Sequence, residues 1–278
     1  MARNAPFVER TARRTAILRG RIWHTMPGRA PKRRSVFLHM PKCGGTSLSE
    51  AMYATVPFNH RIGVIDAAAT RRAACIVHFG TDGRAACHED RETGQLVFDL
   101  REAMLLQHMA WDTMLIHGHV LWSERAIEHF GASYDYVTLM RDPVARTLSN
   151  YRMGVRTGLH PDDFDAYLEG DVARRQARVY LRYLFGRNDI ASDAVHAAVA
   201  SAKARIARFA VVGFLEDLPA FLDRYRDAIG VRLRVGRLNR APKGNSAGSG
   251  ITAEQMRRLE MLCAPDIEIH DHARALHG

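Results

Sequence analysis

The chain has 278 residues, a formal net charge of +10 and 47% hydrophobic residues, which is enough apolar material for a sizeable core. No apolar run approaches the ~18 residues that a membrane-spanning helix needs, and the arginine-rich N-terminus lacks the apolar segment of a secretory signal. The four cysteines form no CxxC pair, so neither a zinc site nor a disulfide framework is indicated. The simplest organisation is one α/β domain with a helical C-terminal part.

Nearly all of the net charge lies at the N-terminus. Residues 1–34 hold ten Lys or Arg and one acid, Glu9, so they carry +9 of the formal +10. We predict a basic N-terminal arm over residues 1–34, either a solvated tail or a contact for an anionic glycan or membrane surface. Within the arm, Thr15 to His24 places large apolar residues among arginines, which is typical of a short amphipathic helix. No nucleic-acid-binding motif accompanies the charge, so nucleic acid is not an expected partner.

The most informative stretch is FLHMPKCGGTSL at residues 37–48. The apolar run from Ser35 to His39 predicts a buried strand, and the residues from Thr46 onward predict a helix. A strand, a glycine turn and a helix N-terminus favour an anion site, because free backbone N–H groups and the helix dipole point at the ligand. The candidate phosphate-binding residues of this loop are Lys42, Cys43, Gly44, Gly45, Thr46 and Ser47. The alternative is a tight turn that carries an incidental lysine.

The order of lysine and glycines in this loop argues against ATP or GTP. A nucleotide triphosphatase loop has its lysine after the last glycine, followed by a hydroxyl residue for magnesium. Here Lys42 precedes both glycines, and position 43 is cysteine. Two interpretations of Cys43 remain open: its thiol is activated by Lys42 and the helix dipole, or only its backbone N–H matters.

A second strand, in DTMLIHGHVL at residues 112–121, ends in His117-Gly118-His119. Histidines two residues apart on a strand share a face, and histidine is the natural general base near neutral pH. The two histidines are therefore candidate catalytic residues. Alternatively, one or both are hydrogen-bonded for structure, or they ligate a metal.

A third strand and helix follow in YDYVTLMRDPVARTLSNY at residues 134–151. Tyr134 to Met140 is β-rich, and Asp142-Pro143 predicts a helix start with aspartate at the N-cap. Arg141 then lies at the carboxyl end of a strand, where open α/β sheets bind ligands, and Ser149 lies two turns into the helix. Arginine and serine together suit a phosphate group.

The bounds of the remaining elements are predicted only approximately. The predicted helices are Asp99 to Trp111, several stretches within 161–208, Glu216 to Ala228 and a last block capped by Thr252. Phe209 to Phe214 predicts a further strand, and residues 80–95 and 236–250 have the composition of loops. The arginines and tyrosines between Arg174 and Tyr183 form either a wall for an acceptor or a solvated basic helix face.

Two of these motifs resemble those of a known family. MPKCGGTSL resembles the 5′-phosphosulfate loop of the Golgi-type carbohydrate sulfotransferases, which include the heparan sulfate 2-O-sulfotransferases. YDYVTLMRDPVARTLSNY resembles the 3′-phosphate motif of the same family. The resemblance is clearest over 35–55 and 112–152, fainter over 209–275 and absent from 1–34.

The resemblance implies a P-loop-like parallel sheet flanked by helices and a single sulfotransferase domain over 35–278. Its co-substrate would be 3′-phosphoadenosine 5′-phosphosulfate (PAPS). Arg141 and Ser149 would hold the 3′-phosphate, and Lys243 and Gly244 would lie on a loop that closes over the nucleotide. The alternative for residues 236–250 is a plain linker.

The implied chemistry is an in-line transfer to a carbohydrate hydroxyl that requires no metal. His119 would be the general base, His117 a second histidine near the acceptor, and Lys42 would stabilise charge on the departing phosphate. Golgi members carry a membrane anchor and this chain shows none, so we expect a soluble, cytoplasmic, bacterial-type enzyme. A P-loop nucleotide kinase or other phosphotransferase and a non-catalytic nucleotide- or glycan-binding protein remain as alternatives.

Overall fold

A computed structural model describes residues 7–82, 90–91, 93–235 and 250–278 of the chain. The strands are β1 Arg34–Leu38, β2 Ile62–Ile65, β3 Leu115–Gly118, β4 Tyr134–Met140 and β5 Val211–Phe214. The helices are α1 Phe7–His24, α2 Gly45–Thr55, α3 Ala67–Phe79, α4 Gly94–Ala110, α5 Glu124–Phe130, α6 Pro143–Arg156, α7 Phe164–Glu169, α8 Asp171–Ala177, α9 Val179–Phe185, α10 Val195–Ile206, α11 Leu218–Ile229 and α12 Ala253–His277. No helix of this described part is long and apolar enough to cross a membrane.

The five strands form one parallel sheet in the order β2-β3-β1-β4-β5. Successive β1 side chains enter different cores: Phe37 packs on the side of α2 and α11, whereas Val36 and Leu38 pack on the side of α4, α9, α10 and α12. A parallel sheet covered on both faces needs such apolar strands. The predicted α/β fold, a parallel sheet flanked by helices with a helical C-terminal part, is confirmed.

Most predicted elements agree with the structure to within a few residues. The Asp142 carboxylate caps α6 by accepting from the Ala145 N–H at 2.7 Å, and Thr252 caps α12 through a capping box with Gln255. Strand β2 and helix α3 were not predicted from the sequence. The four-residue β2 contains a glycine, so its apolar pattern is too short to predict a strand.

The N-terminal helix α1 is longer than the predicted Thr15–His24 helix and packs against α2. A Cβ on Gly20 would lie 2.7 Å from Ala54 Cβ, so glycine permits the close approach of the two helices. Arg21 donates to the carbonyls of Val56 at 3.2 Å and His60 at 2.8 Å, just beyond the end of α2. This part of the arm is therefore a docked helix and not a solvated tail.

A buried carboxylate on α12 joins several elements. Asp266 accepts from the backbone N–H groups of Tyr180 at 2.8 Å and Leu181 at 2.9 Å, at the start of α9. Its other neighbour is Arg146 of α6, at 3.6 Å, and both side chains are fully buried. Since each charge lacks solvent, each depends on the other for compensation.

We expect Asp266→Ala to lower the free energy of unfolding by about 3–5 kcal/mol, because it leaves Arg146 buried without its counter-ion. Glu268→Ala is the matched control on the same helix, where Glu268 pairs with Lys203 at 2.5 Å on the surface; its cost should stay below about 1 kcal/mol. Urea unfolding measures both values.

If Asp266→Ala does not fold, Asp266→Asn, which keeps an acceptor oxygen for α9, should fold with reduced stability. Equal stabilities for Asp266→Ala and Glu268→Ala would contradict the role of the buried pair.

Candidate functional site

The loop between β1 and α2 has the backbone geometry of an anion site. Lys42 and Gly44 both have left-handed conformations, with φ of 66° and 77°, and Gly44 is the N-cap of α2. Left-handed residues in such a turn aim successive backbone N–H groups into one concavity. That concavity lies at the positive end of the α2 dipole, which favours a bound anion.

Gly45 is required by a neighbouring imidazole. A Cβ at position 45 would lie 1.9 Å from His39 Nε2, so any other residue would displace the ring or the loop. His39 comes directly after β1 and therefore contacts the first turn of α2. His39 was predicted only as the last residue of a strand, without a functional role.

Three cationic side chains meet at this loop. Burial and the nearby charges of Arg156 and Arg141 lower the pKa of Lys42. A guanidinium nitrogen of Arg141 lies 3.5 Å from the Lys42 carbonyl oxygen. Within the described ranges no carboxylate forms an ion pair with any of the three, so the loop carries uncompensated positive charge. Arg156 was not predicted, because it lies at the far end of α6.

Tyr180 fixes the loop relative to the end of β4. Its hydroxyl donates to the Arg141 carbonyl at 2.5 Å and accepts from the Arg141 N–H at 2.8 Å. The same oxygen lies 3.4 Å from Cys43 Sγ. A solvated face is wrong for Tyr180, Arg182 and Tyr183, which are buried, whereas Arg174 of the same stretch is exposed. The acceptor wall stays a prediction.

Cys43 does not have an activated thiol. Its side chain is fully buried, and burial raises the pKa of the thiol to about 11. The interpretation in which Lys42 and the helix dipole activate the sulfur is therefore wrong. The sulfur packs under the loop. The interpretation that remains is the one in which only the backbone N–H of Cys43 matters.

A cluster of histidines lies beside the loop. Phe37 of β1 is in register with His117 of β3, so His39 and His119 meet at the carboxyl edge of the sheet. His39 Nδ1 and His117 Nε2 are 3.0 Å apart, and the Tyr53 hydroxyl lies 2.6 Å from His117 Nδ1. The His39 and His119 rings stack, with centroids 4.5 Å apart.

The surroundings of His119 select one tautomer. His119 Nδ1 lies 2.6 Å from the His39 carbonyl oxygen, which can only accept, so Nδ1 carries the proton. In the neutral ring the lone pair is then on Nε2, the form that a general base requires. Since His39 contacts Gly45 and stacks on His119, one imidazole separates His119 from the first turn of α2.

His117 differs from His119 in its hydrogen-bond partners, because side chains contact both of its ring nitrogens. Burial lowers the pKa of His117 to about 4 and raises the pKa of Tyr53 to about 12, so both groups are neutral near pH 7. Burial, followed by His119 and His117, also lowers the pKa of His39 well below its usual range. His117 therefore has the features of a hydrogen-bonded structural histidine, the alternative that the sequence left open. A catalytic role for His117 stays a prediction.

Of the other predicted site residues, the structure describes the side chains of the two serines only. Ser47 is half-buried in the first turn of α2, and Ser149 is half-buried on α6, the helix that follows Arg141. Thr46 lies in the same turn as Ser47, but its side chain is outside the described part. Lys243 and Gly244 lie outside the described residues.

The described ranges contain no group of three or more His, Cys, Asp or Glu side chains arranged to hold a metal ion. Comparison of the chain with models of known protein families and with curated protein sequences gave no match.

The buried histidines predict a loss of stability in acid. The unfolded chain takes up protons near pH 6.5, whereas folded His39 and His117 resist them. Their contribution is therefore complete above about pH 6.5 and falls as the pH drops toward 4, by up to about 1.4 kcal/mol per histidine and pH unit.

Urea unfolding across this range should show a shallower pH dependence for His117→Gln than for the parent. His196→Gln, an exposed position on α10, should keep the parental dependence. Identical slopes for the parent and His117→Gln would contradict the assignment.

Proposed function

We propose that the protein is a sulfotransferase that moves the sulfuryl group of PAPS to a hydroxyl of a carbohydrate acceptor. The observation that carries the proposal is the meeting of an uncompensated cationic loop with His119, whose tautomer suits a general base. The choice of PAPS and of a carbohydrate acceptor follows from the resemblance of residues 40–48 and 134–151 to the two sulfotransferase motifs.

The residues at the loop suit a nucleotide with phosphates at both ends. Lys42 and the N–H groups of Cys43, Gly44 and Gly45 would hold the 5′-phosphosulfate, with the hydroxyls of Thr46 and Ser47 as further donors. Arg141 would bind the 3′-phosphate together with Ser149. The support is the proximity of Lys42 and Arg141, whose repulsion an anion between them would relieve.

The residues of the chain then have distinct roles in the transfer. PAPS supplies an activated sulfuryl group. His119 Nε2 accepts the proton of the acceptor hydroxyl as its oxygen bonds to sulfur and the bond from sulfur to the phosphate oxygen breaks. Lys42 and the loop N–H groups stabilise the charge that grows on that phosphate oxygen. His39 is a positioning residue, because its carbonyl fixes the His119 tautomer and its ring supports the His119 ring.

The first test concerns nucleotide choice, by calorimetric titration with 3′-phosphoadenosine 5′-phosphate (PAP), ADP and ATP. PAP should bind most tightly. Arg141→Ala should weaken PAP tenfold or more, since a charge-assisted contact is worth about 1.5–3 kcal/mol, and should barely change binding of adenosine 5′-phosphosulfate. Arg187→Ala, an exposed arginine after α9, is the matched control and should bind PAP like the parent.

Equal affinity for PAP and ATP would contradict the sulfotransferase assignment and favour the phosphotransferase alternative. Absence of binding to all three nucleotides would contradict both.

The second test concerns the general base. His119→Ala should lower the turnover rate by about 10²–10⁴ while PAP affinity changes little, because the base faces the acceptor. His129→Ala, an exposed histidine on α5, should be indistinguishable from the parent. The pH–rate profile of the parent should contain a histidine-like limb that is missing in His119→Ala.

The same series separates the two histidines at the end of β3. Near-parental turnover in His119→Ala together with an inactive His117→Ala would move the base to His117. Near-parental turnover in both variants would remove histidine base catalysis from the mechanism.

A further inference from the structure

The outer face of α1 exposes large apolar side chains that the rest of the fold leaves uncovered. Leu18 and Ile22 lie one helical turn apart on α1, Trp23 lies in its last turn, and Met26 follows two residues after its end. Phe58 joins it, since its N–H donates to Thr25 Oγ1 at 2.8 Å. The five side chains of this apolar surface are between 45% and 61% exposed. Several large exposed apolar side chains on one element are typical of an interaction site.

Cationic side chains surround the apolar surface. Arg14 and Arg19 lie on either side of Leu18 around the helix, and both are exposed. Residues 11–34 contain eight Lys or Arg and no acid. In the part of the chain that the structure describes, neither Arg14 nor Arg19 forms an ion pair with a carboxylate. The guanidinium of Arg29 stacks over the Trp23 ring at 3.3 Å, so cation and aromatic ring share one surface.

The inner face of α1 is held firmly, so the outer face is presented in a fixed orientation. Arg13 pairs with Glu50 at 3.4 Å, Gly20 contacts Ala54, and Arg21 binds the carbonyls beyond α2. Residue numbers increase in the same direction along both helices in these three contacts, so α1 runs parallel to α2. The apolar surface therefore lies toward the end of α2 that is remote from the phosphate loop.

We propose that this face of α1 docks on the surface of a lipid bilayer that contains anionic headgroups. Helices with arginines beside Leu, Ile and Trp lie in the interface, where the apolar residues reach the acyl boundary and the cations meet acidic headgroups. An acidic glycan would satisfy Arg14 and Arg19 but offers no hydrocarbon for Leu18 and Ile22. A second copy of the chain would bring the same cations together without a carboxylate to compensate them.

The proposal does not depend on the sulfotransferase assignment, and its test uses no nucleotide. The full chain is mixed with vesicles of pure phosphatidylcholine or of equal parts phosphatidylcholine and phosphatidylglycerol, and binding is measured by flotation. We expect binding to the anionic vesicles only, weakened by salt. Ile22→Ser should lower the partition coefficient about tenfold or more, because the apolar contact is lost. Met261→Ser, which removes an apolar side chain that is more exposed than Ile22 (67% against 52%) from α12, should bind like the parent.

Replacing both Arg14 and Arg19 by Gln should lower the partition coefficient about fivefold for each arginine. Insertion is measured separately with brominated lipids in a Trp111→Phe background, where Trp23 is the exposed tryptophan and Trp122 is buried. Quenching of tryptophan emission is the expected result.

Several outcomes would overturn the proposal. Parental binding by Ile22→Ser, or no quenching of Trp23, would reduce the contact to electrostatic attraction without docking of the apolar face. Absence of vesicle binding with retention on heparin would assign the face to a glycan. Absence of vesicle binding with a dimer in sedimentation that Ile22→Ser dissociates would assign it to a second copy of the chain.

Discussion

The buried carboxylate of Asp266 is the constraint on which the candidate site depends. It holds the first N–H groups of α9, and through Arg146 it also fixes α6. Tyr180 is on α9, so the same contact positions its hydroxyl, which hydrogen-bonds to both the N–H and the carbonyl of Arg141. A charge buried in this way is costly unless it is compensated, so the two helices and the strand end can adopt few other arrangements.

The contacts of Asp266 and Tyr180 determine how the charges are arranged at the loop between β1 and α2. Arg141 is held by its backbone, which leaves its guanidinium beside Lys42 in spite of their repulsion. Cys43 contributes packing under the loop instead of reactivity, because its thiol is buried against Tyr180. The loop can therefore keep its left-handed residues and its inward-facing N–H groups while it carries excess positive charge. A loop of this geometry and charge favours an anion.

The histidine cluster links the loop between β1 and α2 to the proposed base, His119, through stacked rings. His39 contacts Gly45 on one side and stacks on His119 on the other, while His117 and Tyr53 fill the space behind it. The three rings differ in their hydrogen-bond partners, and His39 and His117 both have lowered pKa values because they are buried. The carbonyl of His39 sets the tautomer of His119, whereas burial keeps His117 neutral. Residues of one type thus have different surroundings at one edge of the sheet.

The sequence by itself determined the elements whose signals are local. Apolar runs predicted β1, β3, β4 and β5, the Asp142-Pro143 and Thr252 caps predicted helix starts, and the glycine turn predicted the loop between β1 and α2. Lys42, Arg141 and the His117–His119 pair became candidate site residues because they lie at or just after the carboxyl ends of predicted strands. Only the tertiary structure decided the contacts between distant residues. His39 joins the cluster through strand register, Arg156 reaches Lys42 from the far end of a helix, and Tyr180 is buried in spite of its basic neighbours. The arm shows the same limit: its composition indicated an amphipathic helix, but its docking depends on Gly20 meeting Ala54, a contact between residues far apart in the sequence.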